Sequence, residues 1–207
     1  MLFDVDGTLF LTHDPLAAEA LRGSLQERFD VRLPDDAMER VDYQGQTSLR
    51  IARLILEVAA LDDATIDAGL AEWCRRFAER YVELLGQADT SGWRAAPGAE
   101  GVLARLADAD HQLALLTGNP EPMARARMER LGLADFFPSG QGGFGCDAEE
   151  RAELIELARA RAGNWPRDRT VEIGDTARDT SSAHEAGIRS IRVDGAGLAA
   201  VVPQLLA

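Results

Sequence analysis

The sequence predicts an α/β protein, with a Rossmann-like parallel sheet flanked by helices and a small helical cap inserted after the first strand. Two features of the chain support this fold class. From Pro97 onward, short apolar runs that suit buried strands alternate with helical segments. Before that point, one apolar run at Leu2 to Val5 precedes a long block that has only helical periodicity.

The first predicted strand, Leu2 to Val5, leads into the helical block. Apolar residues recur at helical spacing throughout residues 14–90, as at Ile66, Leu70 and Trp73. The segment LLGQADTSGW, which is rich in turn-forming residues, ends this periodicity.

This pattern divides the chain into two units. We expect residues 13–91 to form the helical cap, and residues 1–12 and 92–207 to form the α/β core. A length of 207 residues suits one core domain with a smaller insert.

Helices and strands alternate in the second half of the chain. The predicted order is a helix over 97–110, a strand in 111–118, a helix over 121–132, a loop that includes 139–145, a helix over 148–163, a strand over 169–175, a helix over 180–187, a strand over 188–193 and a short tail helix. Each predicted strand except the last is followed by polar residues.

Composition and charge exclude several classes of protein. The formal net charge of −13 argues against a surface that binds nucleic acid or an anionic membrane. No apolar run approaches the roughly 20 residues that span a bilayer.

Cys74 and Cys146 stand in no metal or redox spacing, so we predict reduced thiols in a cytoplasmic protein. All 22 basic residues are arginines. The sequence leaves open whether the protein is a monomer or a homodimer.

Reactive side chains follow three of the predicted strands. Because the carboxyl ends of parallel strands meet at one edge of a sheet, we expect these side chains to converge on a single site. The three groups are Asp4 and Asp6, then Thr117, Gly118 and Asn119, and finally Asp175.

The acidic members of this set predict a metal site. Asp4 and Asp6, two residues apart at a strand end, point the same way, and Asp175 adds a third carboxylate. Without a cation they would repel one another by about 4 kcal/mol per pair at roughly 4 Å. Hard oxygen ligands suit Mg²⁺ best. A Mg²⁺ site that faces the hydroxyl and backbone N–H groups of Thr117 to Asn119 suggests phosphoryl transfer.

The motifs DVDGTL, LLTGN and GDTARD resemble motifs I, II and IV of the haloacid dehalogenase (HAD) superfamily, in the expected order. The stretch TGNPEPMARARMERLGLADFF is similar to the phosphoglycolate-phosphatase-like branch, whose small helical cap follows motif I. The resemblance implies that Asp4 is the nucleophile that forms an aspartyl-phosphate. It implies that Asp6 is the general acid and then the general base.

The resemblance also implies roles for the remaining residues. Mg²⁺ would be held by the Asp4 carboxylate, the Asp6 backbone carbonyl and Asp175, while Asp179 would order metal-bound water. Thr117, Gly118 and Asn119 would bind the transferring phosphoryl group. The family usually has a lysine in motif III, and in this chain Arg151 stands in about that place, where its guanidinium neutralises the same charge.

The segment around Gly45 and Gln46 has two interpretations. It resembles the cap loop that related enzymes lower onto the substrate, and it also suits the start of a helix, with Thr47 or Gln46 near the N-cap. Overall, the expected function is that of a Mg²⁺-dependent phosphatase of a small phosphorylated metabolite, such as phosphoglycolate or a sugar phosphate. The alternatives are a phosphomutase of the same fold and a non-catalytic binding or regulatory module.

Overall fold

A five-stranded parallel sheet forms the centre of the protein. The computed structural model describes residues 1–193, 197–201 and 205. In the described part of the chain, the strands lie in the order β3-β2-β1-β4-β5, and every neighbouring pair is parallel. The strands are β1 (Leu2–Phe3), β2 (Ala114–Thr117), β3 (Gly143–Phe144), β4 (Val171–Gly174) and β5 (Arg189–Arg192). The predicted fold class is therefore confirmed.

Helices account for most of the remaining described residues. The α-helices are α1 (Pro15–Phe29), α2 (Ser48–Val58), α3 (Asp63–Gln87), α4 (Ala99–Asp108), α5 (Glu121–Leu131), α6 (Arg151–Arg161) and α7 (Ala177–Glu185). A 3-10 turn at Leu198–Val201 lies where the tail helix was expected, and the rest of that tail lies largely outside the described residues. No helix within the described ranges is both long and apolar enough to span a membrane.

Helices α1 to α3 lie between β1 and β2 in the sequence and form a helical block with its own apolar interior. Trp73 is fully buried there and stacks on Phe77, with ring centroids 5.3 Å apart. Its indole Nε1 donates a hydrogen bond to the Ser24 hydroxyl at 2.9 Å. The block is not helical throughout, because Asp30 adopts a left-handed conformation that ends α1, and residues 30–47 form turns and irregular segments.

Strand β3 was not predicted, since the glycine-rich segment 139–145 was expected to be a loop. Gly143 and Phe144 instead pair in parallel with Leu116 and Thr117. A Cβ at Gly143 would lie 2.4 Å from the Leu154 carbonyl oxygen, so only glycine fits between β2 and α6. Two residues are too short a run for periodicity to indicate a strand.

The predicted reduced thiols are wrong, because Cys74 and Cys146 form a disulfide. Cys74 lies on α3 and Cys146 follows β3, so the bond joins the helical block to the sheet. The Cα atoms are 5.9 Å apart, although 72 residues separate the two cysteines in the sequence. That separation hides the pairing, which arises only when the helical block packs against the sheet.

Reduction of this disulfide is expected to lower the free energy of unfolding by about 4 kcal/mol, because a long loop regains its freedom in the unfolded chain. Urea unfolding with and without a reducing agent measures the effect. A variant with Cys74→Ala and Cys146→Ala serves as the control, since its urea midpoint of unfolding should not change when the reducing agent is added. An unchanged wild-type midpoint, with two thiols titrated after reduction, would contradict the prediction.

Candidate active site

The ends of β1, β2 and β4 meet at one cavity of about 630 Å³ between the sheet and the helical block. These three strands are neighbours in the sheet, with β1 in the middle. The carboxyl ends of parallel strands therefore meet there, as expected. The sequence-predicted residues that line the cavity are Asp4, Asp6, Gly45, Gln46, Thr117, Gly118, Asn119, Arg151 and Asp175.

Gly7 lets the chain turn sharply behind the first two aspartates. Its φ of +81° lies in the left-handed region, and a Cβ there would meet Asp175 Oδ2 at 2.3 Å. The next residue, Thr8, donates its hydroxyl to Asp175 Oδ1 at 3.2 Å. The loop after β1 is thereby fastened against the end of β4.

Three carboxylates form a compact acidic cluster. One carboxylate oxygen from each of Asp4, Asp175 and Asp179 lies within 4.8 Å of the others. Burial raises the pKa of Asp4 well above its usual value, and the charges of Asp179 and Asp6 add to this effect, while Arg151 opposes it. Burial and the charge of Asp179 likewise raise the pKa of Asp175. The donor set fits a hard divalent cation, which would relieve the repulsion.

Asp179 lies within the acidic cluster, although the resemblance implied a role beyond the direct ligands. It also completes a capping box at the start of α7, in which Asp179 Oδ2 accepts hydrogen bonds from the Thr176 backbone N–H and hydroxyl, both at 2.8 Å. Helix α7 thus fixes the position of the Asp179 carboxylate.

Arg151 is the buried cation of the cluster. Its guanidinium Nη2 lies 3.1 Å from Asp4 Oδ1, 2.8 Å from Asp179 Oδ1 and 3.3 Å from Glu172 Oε1. It is the first residue of α6, and its side chain is 3% exposed. A single guanidinium with several donors can serve three acceptors in this way, whereas an ammonium offers a more compact charge.

Glu172 is a buried partner of Arg151 that the sequence reasoning missed. Its side chain is fully buried on β4, and burial raises its pKa to about 8 although Arg151 lowers it. The available signal was a carboxylate inside an otherwise apolar strand that is covered on both faces.

The Asp6 carboxylate contacts two donors at the edge of the cavity. Arg127 Nη1 lies 2.8 Å from Asp6 Oδ1 and 3.1 Å from Oδ2, and the Asn119 amide nitrogen donates to Oδ2. The Asp6 side chain is 54% exposed, whereas Arg127 is buried. Sequence reasoning also missed Arg127. The available signal was its position four residues after Met123 on α5, which places a charged residue on the buried face of that helix.

The loop after β2 forms a polar cradle beside Asp4 and Asp6. The buried Thr117 hydroxyl accepts hydrogen bonds from the Asn119 backbone N–H at 3.2 Å and from its side-chain amide at 3.0 Å. The Gly118 carbonyl accepts from the backbone N–H and the hydroxyl of Ser48, both at 2.8 Å. A Cβ at Gly118 would lie 2.0 Å from the Gln46 carbonyl oxygen, so glycine permits this close contact.

The segment before α2 begins that helix, as one of its two interpretations expected, and the substrate contact of the other interpretation stays a prediction. Thr47 is the N-cap of α2 and accepts a hydrogen bond from the Arg50 N–H at 3.1 Å. Gly45, with a φ of +65°, lies against α7, where Arg178 Nε donates to the Gln44 carbonyl at 2.9 Å. The segment thus starts a helix and lines the cavity.

Comparison with known proteins places these features in a family. A family model described as haloacid dehalogenase-like hydrolase matches residues 1–187. The chain is 31% identical over 192 residues to the phosphoglycolate phosphatase of Rhodospirillum rubrum, covering 91% of this chain and 76% of the relative. It is 30% identical over 196 residues to the phosphoglycolate phosphatase of Chromobacterium violaceum, covering 92% and 82%.

Solved structures share the fold. CbbY from Rhodobacter sphaeroides, in complex with phosphate, superposes with a TM-score of 0.60 at 20% identity, covering 94% of this chain and 85% of CbbY. The β-phosphoglucomutase of Clostridium difficile has a TM-score of 0.62 at 16% identity, covering 94% and 83%. The family model spans most of the chain and agrees with the motifs read from the sequence. The chain belongs to the haloacid dehalogenase-like hydrolases.

Proposed function

We propose that the protein is a Mg²⁺-dependent phosphatase that hydrolyses a small phosphorylated metabolite through an aspartyl-phosphate intermediate. The observation that carries this proposal is the position of Asp4. It lies beside a buried guanidinium and two further carboxylates, and it shares one cavity with the Thr117 to Asn119 cradle. The phosphoglycolate phosphatases among its relatives support the same class of reaction.

In the first half-reaction, an Asp4 carboxylate oxygen attacks phosphorus and the bond from phosphorus to the ester oxygen breaks. Asp6 gives a proton to that departing oxygen, so the leaving group departs as an alcohol. In the second half-reaction, Asp6 takes a proton from water, whose oxygen attacks the aspartyl-phosphate. Inorganic phosphate leaves, and the Asp4 carboxylate is restored.

The cradle after β2 would hold the transferring phosphoryl group. We assign its oxygens to the Thr117 hydroxyl, the backbone N–H groups of Gly118 and Asn119, and the Arg151 guanidinium. Arg151 would also keep Asp4 ionised and oriented for attack, in the role that lysine has in most of the family.

The acidic cluster would hold Mg²⁺. The Asp4 and Asp175 carboxylates and the Asp6 backbone carbonyl are the proposed ligands, with Asp179 next to them. The ion supplies positive charge that offsets the charge of the phosphoryl oxygens and of the cluster itself.

The helical block would act as the cap. We propose that residues 13–91 form this cap domain and that residues 1–12 and 92–207 form the catalytic core. Gly45 and Gln46 would then contact the part of the substrate that leaves, so the cap determines which ester is accepted. Phosphoglycolate and sugar phosphates are the proposed substrate class.

The cellular setting stays a prediction. We propose a monomer or homodimer that binds neither nucleic acid nor membranes, consistent with the net charge of −13. The disulfide between Cys74 and Cys146 bears against a reducing compartment, because disulfides persist mainly in oxidising ones.

Phosphate release from a panel of phosphorylated metabolites tests the proposal. We expect release that requires Mg²⁺, stops with EDTA and is concentrated on one compound. Asp175→Asn should raise the Mg²⁺ concentration needed for half-maximal activity by about 10-fold or more, since a charged ligand is lost. The matched control is Asp108→Asn, which removes an exposed carboxylate at the end of α4.

Absence of release from every compound, with the protein folded and Mg²⁺ bound, would contradict the proposal. Phosphate transfer within a sugar phosphate would then indicate a phosphomutase, and binding without turnover would indicate a non-catalytic module.

A further inference from the structure

Arg127 is a buried cation that belongs to neither the acidic cluster nor the phosphate cradle. It lies on α5, and its side chain is 3% exposed. Its guanidinium carbon lies 4.9 Å from the centre of the Phe10 ring and 5.4 Å from that of the Tyr81 ring. Burying a charge this completely is costly unless it is fully paired.

The guanidinium is paired on three sides. Nη1 donates to the Asp6 carboxylate at 2.8 and 3.1 Å, and Nη2 donates to Asp14 Oδ2 at 2.8 Å. Nε donates to the Tyr81 hydroxyl at 3.1 Å, and that hydroxyl donates to Asp14 Oδ2 at 2.6 Å. Each of these polar side chains therefore has a partner within the network, and every nitrogen of the guanidinium donates to one of them.

The charge balance argues against a role for Arg127 in binding a substrate anion. Its one positive charge already faces two carboxylates, those of Asp6 and Asp14. Because Asp14 is itself 3% exposed, displacing Arg127 toward a substrate would leave a buried carboxylate without its cation.

The partners of Arg127 come from both parts of the molecule. Asp6 follows β1, whereas Asp14 is the N-cap of α1 and accepts a hydrogen bond from the Leu16 N–H at 3.0 Å. Tyr81 lies on α3, and its side chain is buried inside the helical block. Arg127 therefore joins the Asp6 carboxylate to two helices of the block.

We propose that Arg127 is a positioning residue for Asp6. It holds the carboxylate at the edge of the cavity, and through Asp14 and Tyr81 it makes that position depend on the docked helical block. This inference rests on the proposed function, in which Asp6 passes a proton to the leaving oxygen.

Misplacing Asp6 should lower kcat/KM unequally for the two esters, because kcat/KM reports the first half-reaction, in which Asp6 donates its proton. An alkyl alcohol is a poor leaving group and needs the proton, whereas p-nitrophenolate departs without one. Positioning of an acid contributes to the rate of bond breaking and not to substrate binding, so kcat for the alkyl ester should fall without a matching rise in KM.

The experiment compares kcat/KM for p-nitrophenyl phosphate with kcat/KM for the alkyl phosphate that is hydrolysed fastest in the metabolite panel. For Arg127→Met we expect a fall of about 10- to 100-fold on the alkyl ester and less than about 3-fold on the aryl ester. Arg127→Lys keeps a charge beside Asp14 but cannot span both carboxylates, so it should fold well and give a smaller shift in the same direction.

Two controls separate this role from a structural one. Arg130→Met removes another arginine of α5 that contacts α3, through the Leu85 carbonyl, and it should leave both rates unchanged. In an Asp6→Asn background, Arg127→Met should no longer change the ratio of the two rates, because its effect acts through Asp6.

The outcomes distinguish the two proposals. A wild-type protein that hydrolyses neither ester would overturn the proposed function. With an active wild type, three results would overturn the positioning role alone: equal losses on both esters, a rise in KM without a fall in kcat, or an unchanged effect in the Asp6→Asn background.

Discussion

Replacement of Asp4 by asparagine is expected to lower kcat for phosphate release by about 10³-fold or more, because an amide oxygen is a poor nucleophile toward phosphorus. The protein should still fold, since asparagine has almost the same shape and can accept the hydrogen bond from Arg151. Steady-state release of phosphate, together with trapping of phosphorylated enzyme by acid quench, measures the effect. Wild type should yield a labelled protein, and Asp4→Asn should not.

The same substitution has an expected effect on stability. Burial raises the pKa of Asp4 in the Mg²⁺-free protein, so ionising this carboxyl opposes folding. Relative to wild type, Asp4→Asn should therefore gain no free energy of unfolding below the ordinary pKa of 3.8. The gain should increase as the pH rises from there to the higher folded-state pKa of Asp4, and should stay constant above it. Unfolding in EDTA at several pH values checks the sign of this effect on stability.

The turnover measurement decides the catalytic role. If Asp4→Asn keeps wild-type turnover, Asp4 is not the nucleophile.

Replacement of Arg151 is expected to reduce both stability and activity. Arg151→Met leaves the buried carboxylates of Asp4, Asp179 and Glu172 without their shared cation, so we expect a loss of about 3–5 kcal/mol in the free energy of unfolding. Turnover should fall by about 10²-fold or more, since both Asp4 and the phosphoryl group lose a charged donor. Urea unfolding and phosphate release measure the two effects separately.

Arg151→Lys tests whether charge or shape matters at this position. An ammonium keeps the charge but is too compact to reach all three carboxylates, so we expect a fall in kcat of about 10-fold, between wild type and Arg151→Met. Combining it with Glu172→Gln removes one buried carboxylate while keeping an oxygen that accepts a hydrogen bond, and should recover part of the stability. Arg161→Met, which removes an ion pair of α6 with Asp147 near the surface, is the matched control. Wild-type stability in Arg151→Met would refute this account of the cluster.

Much of the fold was predictable because its signals are local. Helical periodicity indicated α1 and α3, and apolar runs indicated β2 and β4, since these patterns depend on residues close together in the chain. The position of Asp4 and Asp175 at one edge followed from a general property of parallel sheets. Strand β3 was missed, because two paired residues leave no periodic trace. Pro34 and Gly45 indicated interruptions between α1 and α2, but no local pattern marks the left-handed Asp30 that ends α1, so the length of the break was missed.

The sequence by itself determined which groups the strand ends carry: the carboxylates proposed as nucleophile and acid, a polar cradle and a cluster of oxygen ligands. Only the tertiary structure decided which buried charges pair with one another and which cysteines are joined. Asp6 meets Arg127 across 121 residues, Arg151 meets Asp4 across 147, and Cys74 meets Cys146 across 72. The first two contacts depend on how α5 and α6 pack against the end of β1, and the third depends on how the helical block packs on the sheet. No pattern of neighbouring residues encodes that packing. Charges that must be paired because they are buried are therefore visible only once the chain is folded.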